Sequence, residues 1–535
     1  MDLNQLYRIF RSCTGVTTDS RRCPEGSLFF ALRGENFDGN AYAARALEAG
    51  SAYAVVDRPE VIPPGGDARY LLTDNGLRTL QALARLHRRT LGTTMLAITG
   101  TNGKTTTKEL VSAVLARRYR VLHTEGNLNN HIGVPLTLLR LRPEHELAVV
   151  EMGASHPGDI RELVDIAEPD MGLITNVGRA HLLGFGSLEG VMRTKGELFD
   201  FLREQGRGPA FVCQDDERVQ ALAKGLHQVR YGSMDKASMG NGQWAMDNGL
   251  PVVGDDRRTT DNGQCATDNG PLAVGDGRRA SGDDGMERTK RMGLPGPHEE
   301  EACCIAGHPV DSRSPYLSLT WWRMPSSGAN SAAVPGVREV HTHLIGDYNL
   351  PNVLAAAAVG SYLGVPADQI DQALEAYTPS NSRSQLLPTA DNTLVVDAYN
   401  ANPTSMHVSI ANFLRLSAPR PLLILGDMRE LGAESAHEHQ RIVDELVAQG
   451  LAPSAACQPS TTCPTTASPA QSTDAWSQAT VILVGQEFAA TRHPFLSFPD
   501  VAALIAAVQA HKPTGRTILI KGSNGVKLGS IIGYL

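Results

Sequence analysis

The sequence predicts an α/β protein of three domains, and three observations carry that prediction. The chain has 535 residues, more than one hydrophobic core usually serves, so two to four domains are expected. From Thr94 onward short apolar runs alternate with stretches of helical spacing: MLAITG, KELVSAVLARR, ELAVVEMG (146–153) and MGLITNVG (171–178). That alternation predicts a parallel sheet covered on both faces. The same pattern returns after Tyr377 in TLVVDAY (393–399), PLLILGD (421–427), TVILVG (480–485) and TILIKG (517–522), which predicts a second, smaller α/β sheet with ligand-accessible loops at its strand ends.

The predicted units are 1–90, 91–376 and 377–535. In the first, SLFFALRG (27–34) and AYAVVD (52–57) read as strands, and AYAARALEAG (41–50) as a helix closed by Gly50. The second is a P-loop-type parallel sheet and the third a Rossmann-like α/β domain. Within the second, residues 236–312 hold 13 of the 52 glycines in 77 positions and a near-duplicate, DNGLPVVGDDRR (247–258) against DNGPLAVGDGRR (268–279). Two copies are too few for a solenoid, so this stretch reads as a flexible surface insertion. Calcium binding by its Asp/Asn/Gly clusters is the other reading, but the spacing matches no EF-hand loop. The Ser/Thr/Pro/Ala-rich stretch at about 452–478 reads as a second excursion. Structure is expected to resume at SPYLSLTWW (314–322), a strand, and at an Ala-rich helix after HLIGDYNLPN.

Composition narrows the function. Lys+Arg number 49 against 57 Asp+Glu, a net charge of −8, which disfavours general nucleic-acid binding. The eight cysteines form no C-x-x-C pair and read as free thiols rather than disulfides. No signal-peptide run and no stretch of about 18 apolar residues occurs, so a cytoplasmic location with no membrane insertion is expected.

The strongest chemical signal is ITGTNGKTTTKEL (98–110). A strand ending in Gly100, followed by Thr101, Asn102 and Gly103 and a helix beginning at Lys104, arrays backbone N–H groups around an anion. Lys104 can reach the outer phosphates of a nucleotide, and the hydroxyls of Thr105 and Thr106 lie at the helix start, Thr105 suited to Mg²⁺. The spacing G-x-x-G-K-T is shorter than the usual phosphate-loop pattern. Glu151, ending the strand in VVEMG, reads as a metal ligand or as a solvated strand end. His181 in GRAHLLG and Lys195 in RTKGELF read, singly, as an ordinary loop histidine and a charged helix face. Their order along the chain gives them weight.

These elements together resemble the Mur ligases, ATP-dependent amide-forming enzymes of peptidoglycan synthesis. The matching segments are TGTNGKTTT (99–107), GNLNNHIGVPLTLL (126–139), EMGASHPGDI (151–160), TNVGRAHLLGFGS (175–187), TKGELF (194–199), IGDYNLPNVLAA (345–356) and LGDMRELG (425–432). DAYNANPTSM (397–406) resembles members that add D-alanyl-D-alanine to UDP-N-acetylmuramoyl-tripeptide (UDP-MurNAc-tripeptide). The resemblance implies that domain one holds the UDP-sugar, with Ser20 and Arg21 as contacts. It implies ATP held by Gly100 to Thr106, Asn349, Asn352, Arg383 and Asp397, and Mg²⁺ at Thr105, Glu151, His181 and Lys195. It implies a carbamylated Lys195, and Lys104, His181, Lys195 and Arg383 as catalytic groups. Asn129, Asn130, Tyr399 and Asn402 would meet the peptide substrates. His131 stands where such enzymes often carry an acidic residue. A monomer that opens and closes around its small-molecule substrates is implied as well. Other readings stay open: a ligase of the same fold adding a different unit, a nucleotide-binding scaffold without catalysis, or an unrelated phosphotransferase.

Overall fold

The structure is a computed structural model and describes residues 1–35, 37–234, 304–310, 314–324, 336–379, 385–416, 418–451 and 479–535. The duplicated segment, the stretch 452–478 and Arg383 lie outside the described residues.

A first sheet runs Val16–Thr17, Leu28–Phe30, Tyr53–Val56, Tyr70–Leu72 in spatial order, all parallel. Its central strands are apolar at every position because both faces are covered. Phe29, Ala54 and Val56 pack against the helix Ala43–Glu48. Leu28, Phe30 and Val55 join a cluster with Leu6, Phe10, Leu80 and Leu83 from the helices Leu3–Ser12 and Gly76–Leu91. The second of these helices couples the first sheet to the next. His87 meets the Tyr7 hydroxyl at 3.0 Å and the Leu141 carbonyl at 2.9 Å. Arg88, wholly buried, reaches the Asp170 carboxylate at 2.8 Å.

Among the described residues the central sheet has nine strands. Thr94–Thr99 lies in its interior, flanked by Leu147–Glu151 and Met171–Ile174. Val121–His123 forms one edge. On the other side follow Ala210–Cys213, Gln228–Ser233 and Cys304–Pro309, all parallel. Two antiparallel strands, Tyr316–Arg323 and Arg338–Ile345, complete it. The helix Leu350–Tyr362 is buried almost all round; its alanines and Gly360 let it press on the helix Lys104–Leu115, where a Cβ at Gly360 would lie 2.4 Å from Val114 Cγ1.

Two features correct the sequence-based expectation. The insertion does not extend to residue 312, because Cys304–Pro309 is a strand of the sheet. Its glycine is a packing requirement, not looseness: a Cβ at Gly307 would sit 2.6 Å from the Thr320 carbonyl oxygen and 2.7 Å from Leu354 Cδ2. The sheet is also mixed rather than purely parallel, since the edge hairpin pairs Ala306 with Trp322 and Thr320 with Glu339 across the chain, a pairing that local periodicity does not encode.

The third sheet runs Gln385–Pro388, Asn392–Asp397, Arg516–Lys521, Leu422–Gly426, Val481–Val484, Leu496–Phe498. All its pairs but the first are parallel. The last long strand returns between two earlier ones, so the loops after Asp397 and Gly426 stand on either side of Lys521. Among the described residues no helix is long and apolar enough to cross a membrane.

Gly307→Val is expected to destabilise the protein by about 1–3 kcal/mol, the usual cost of overpacking, as read by denaturant unfolding. An unchanged midpoint would show that this edge yields freely.

Candidate active site

The carboxyl ends of the central and third sheets line one cleft of about 960 Å³, at the upper end of the usual size of a small-molecule site. Its walls include Thr101 to Thr106, Asn129 to His131, Glu151, Thr175 to Gly178, His181, Asn349, Asn352, Asp397, Tyr399, Asn400, Glu430 and Lys521.

The phosphate loop is held by its neighbours. Gly100 has φ +141°, and a Cβ there would lie 2.0 Å from Thr175 Oγ1; Gly103 has φ +78°, and a Cβ there would lie 2.5 Å from Asn352 Oδ1. No side chain fits at either position, and both backbones lie in the region that glycine alone enters freely. The Asn102 N–H donates to Asn176 Oδ1 at 3.0 Å, and the Thr175 hydroxyl donates to the Asn102 carbonyl at 2.7 Å. Lys104 Nζ folds back onto the Gly100 and Thr101 carbonyls at 2.8 and 3.0 Å. Gly103 caps the helix with no side chain of its own, so the first-turn N–H groups and the helix dipole point at the cleft.

Beside the loop, the Thr105 hydroxyl donates to Glu151 Oε2 at 2.9 Å, and Asn129 Nδ2 donates to Glu151 Oε1 at 2.8 Å. These are hard oxygen donors, the kind Mg²⁺ selects. Lys108 is buried behind them, donating to the Thr124 carbonyl at 2.6 Å, with Nζ 3.8 Å from Glu151 Oε2. Asn130 caps the turn before Gly133–Leu138 through the N–H groups of Ile132 and Gly133. On the far side the Thr107 hydroxyl donates to Asn352 Oδ1 at 3.1 Å, and Asn352 Nδ2 donates to Asn349 Oδ1 at 2.9 Å.

Polar contacts bring the third sheet to the site. Asn402 Nδ2 donates to Asn102 Oδ1 at 2.8 Å while its own Oδ1 caps the helix Pro403–Arg415 at Ser405. Arg179 meets the buried Glu438 at 3.0 Å. His181 Nδ1 pairs with Glu430 Oε2. Both partners of that pair are non-glycine residues with positive φ, +51° and +68°, backbone strain of the sort concentrated at functional sites.

Lys195 lies on the helix Leu188–Glu204 and is 2 % exposed. It stands behind the cleft wall, its Nζ 5.5 Å from the centre of the Phe185 ring. Among the described residues no hydrogen bond or ion pair reaches that Nζ. Burial, and then the positive charge of Lys104, push its pKa well below the ordinary lysine value.

The structure thus brings together the phosphate loop, Glu151, Asn129, Asn130, His181, Asn349, Asn352, Asp397 and Tyr399 around the cleft, with Asn402 bonded to Asn102 beside it. It does not bring Ser20 or Arg21 to the cleft. Arg21 is exposed and pairs with Asp19 at 2.8 Å, which holds the Asp19 carboxyl at about 2. Among the described residues no three His, Cys, Asp or Glu side chains converge on one point; His181 is turned to Glu430 instead. Sequence reasoning passed over Asn176, Glu430 and Lys521. Only the last had a local signal, a charged residue ending an apolar strand before a glycine.

A doubly glycine-pinned phosphate loop, facing a second α/β unit across a shared cleft, defines a nucleotide-dependent enzyme of two catalytic sheets. Family models agree on which one. The Mur ligase family catalytic domain matches residues 12–128, the Mur ligase middle domain 98–250, and the Mur ligase glutamate ligase domain 382–524. UDP-N-acetylmuramoyl-tripeptide–D-alanyl-D-alanine ligase of Bacillus subtilis (strain 168) is 31 % identical over 420 residues, 78 % of this chain and 74 % of its own. The enzyme of the same name from Escherichia coli (strain K12) is 31 % identical over 437 residues, 82 % and 79 % of the two chains. The crystal structure of MurF from Acinetobacter baumannii superposes with a TM-score of 0.68 at 25 % identity, covering 99 % of this chain and 97 % of that one. The chain belongs to the Mur ligase family.

The buried Lys195 predicts a pH dependence. Its folded pKa lies below the unfolded value of about 10.4, so between the two the unfolded chain binds more protons and stability rises with pH. In CO₂-free buffer the wild type is expected to gain stability over Lys195→Met as pH climbs toward that value. Parallel stability curves for the two proteins would refute the shift.

Proposed function

We propose that the protein is an ATP-dependent ligase that joins D-alanyl-D-alanine to UDP-N-acetylmuramoyl-tripeptide, giving UDP-MurNAc-pentapeptide, ADP and phosphate. The observation that carries this reading is the DAYNANP loop (397–403) facing the phosphate loop across one cleft, joined to it by the Asn402–Asn102 hydrogen bond. The domain division follows the three sheets: 1–90 for the UDP-substrate, with Ser20 and Arg21 among its contacts, 91–376 for ATP, and 377–535 for closure over the nucleotide and the dipeptide. The protein would act as a cytoplasmic monomer.

The chemistry asks for charge control. A carboxylate resists attack and offers no good leaving group, so it is first phosphorylated. The tripeptide carboxylate attacks the γ-phosphorus of ATP, the bond to ADP breaks, and an acyl phosphate forms. The dipeptide amine, having lost its proton, attacks the acyl carbon, and phosphate leaves. Two anions meet in the first step; Lys104 and the N–H groups at the start of its helix would neutralise them. Arg383 would add a second positive charge at the γ-phosphate. Asp397 would accept from the ribose hydroxyls, and Asn349 and Asn352 would border the nucleotide. Asn129, Asn130, Tyr399 and Asn402 would order the peptide substrates.

Mg²⁺ would be held by Thr105, Glu151 and His181, where it would offset phosphate charge. A neutral Lys195 amine is a nucleophile toward CO₂: nitrogen bonds carbon, a proton leaves, and a carbamate anion replaces a cation that has no carboxylate partner among the described residues. Lys195 would then serve the metal as an oxygen ligand.

The deciding experiment measures phosphate release with Mg·ATP, UDP-MurNAc-tripeptide and D-alanyl-D-alanine, each omitted in turn, with the product weighed. Release that needs all three, with a pentapeptide product, is the expected result. Release with a single amino acid in place of the dipeptide would move the protein elsewhere in the family. For the carbamate, Lys195→Ala is expected to lose activity by at least about a hundredfold, the scale for a group acting on the transferring phosphoryl, and to regain part of it with added short carboxylates. Absence of any rescue would count against the modification.

A further inference from the structure

Lys521 ends the strand Arg516–Lys521 directly beside Asp397, its register partner on the neighbouring parallel strand. Its Nζ donates to Asp397 Oδ2 at 2.6 Å and reaches the Asn400 carbonyl at 3.4 Å. The side chain is 1 % exposed, so this cation has exchanged water for one carboxylate and one backbone carbonyl. The two residues that follow tighten the same corner. A Cβ at Gly522 would lie 3.0 Å from Gly426 Cα. The Ser523 hydroxyl donates to the Ala401 carbonyl at 3.3 Å and accepts from the Arg429 N–H at 3.0 Å. The KGS segment (521–523) therefore ties together the loop after Asp397 and the loop after Gly426.

The second donor to Asp397, the Ser409 hydroxyl, also meets Oδ2, at 3.4 Å. Among the described residues no donor reaches Oδ1, and Asp397, Ser409 and Lys521 all line the cleft. We propose that Lys521 is a positioning residue of the nucleotide site: it holds Asp397 by Oδ2 and fixes the 400–401 backbone, so that Oδ1 faces the cleft as the acceptor for the ribose hydroxyls of a nucleoside triphosphate. This rests on the assignment of Asp397 to the ribose under Proposed function. Sugar selectivity would then come from a pair of residues 124 positions apart, only one of which meets the sugar.

The test compares KM for ATP with KM for 2′-deoxyATP and 3′-deoxyATP in wild type, K521M, K521R and D397N. The ratio is taken within one preparation, so a lowered folded fraction cancels. Wild type is expected to favour ATP by about tenfold or more over at least one analogue, the scale of one charged hydrogen bond. K521M and D397N are expected to bring that ratio to near one. K521R, which keeps the charge, is expected to retain most of it. Should K521M not fold, K521Q, which removes the charge but keeps a donor, gives the same readout. A wild-type ratio in K521M alongside a lost ratio in D397N would overturn the positioning role and leave the ribose assignment standing. A ratio kept in both variants would overturn the ribose assignment and the positioning role with it.

Discussion

The architecture depends on how tightly the phosphate loop is clamped. At Gly100 and Gly103 there is space for a hydrogen and nothing larger, because Thr175 and Asn352 press on the loop from either side. These neighbours come from the next strand of the sheet and from the buried Ala-rich helix, so the loop conformation is set by the packing of the entire central unit. Strand order makes this possible. Thr94–Thr99 runs between Leu147–Glu151 and Met171–Ile174, and all three are parallel, so their carboxyl ends deliver the phosphate loop, Glu151 and the Thr175–Gly178 turn to one place.

The third sheet meets that clamp through polar contacts. Asn402 to Asn102, Arg179 to Glu438, His181 to Glu430 and Arg415 to Asp347 are among its side-chain links. The first sheet is joined to the central one by a continuous apolar cluster through Leu80, Leu83 and Leu138. The third sheet has an apolar junction of its own, because Ile345, at the end of the central edge strand, is buried with Val395, Met406 and Ile410. The two units therefore meet through a core contact on one side and through polar links at the cleft mouth on the other.

Much of this was legible in the sequence because the signals are local. The phosphate loop needs only a strand, two glycines and a helix within thirteen residues, and the apolar strands of the central and third sheets appear where their runs were read. What was not legible is pairing over distance. Cys304–Pro309 looked like part of a glycine-rich excursion because Gly307 acquires its meaning only against Thr320 and Leu354. Glu430 sits in a recognised segment, yet nothing near it in sequence points to His181. Lys521 shows only as a charge ending a strand until the register places it beside Asp397. Arg21, in the first unit, pairs with its own Asp19 and lies outside the cleft shared by the other two sheets.

Two lysines line the cleft and two more, Lys108 and Lys195, are buried behind it, and each has a different set of partners. Lys104 rests on loop carbonyls, weak partners from which a phosphate can draw it. Lys108 is committed, held by the Thr124 carbonyl, Glu109 and Glu151 behind the metal-type oxygens. Lys521 is matched one to one with Asp397. Lys195 has the face of Phe185 and no ion pair among the described residues; burial and the charge of Lys104 push its pKa down, and the more distant Asp159 and Glu197 act the other way. Burial without an ion pair disfavours the charged form of that last group and costs folding free energy. The cost is intelligible if the amine is meant to be neutral, because an uncharged amine can be converted by CO₂ into an anion. Burial would thus prepare Lys195 for its chemistry, in the way that clamping prepares the phosphate loop.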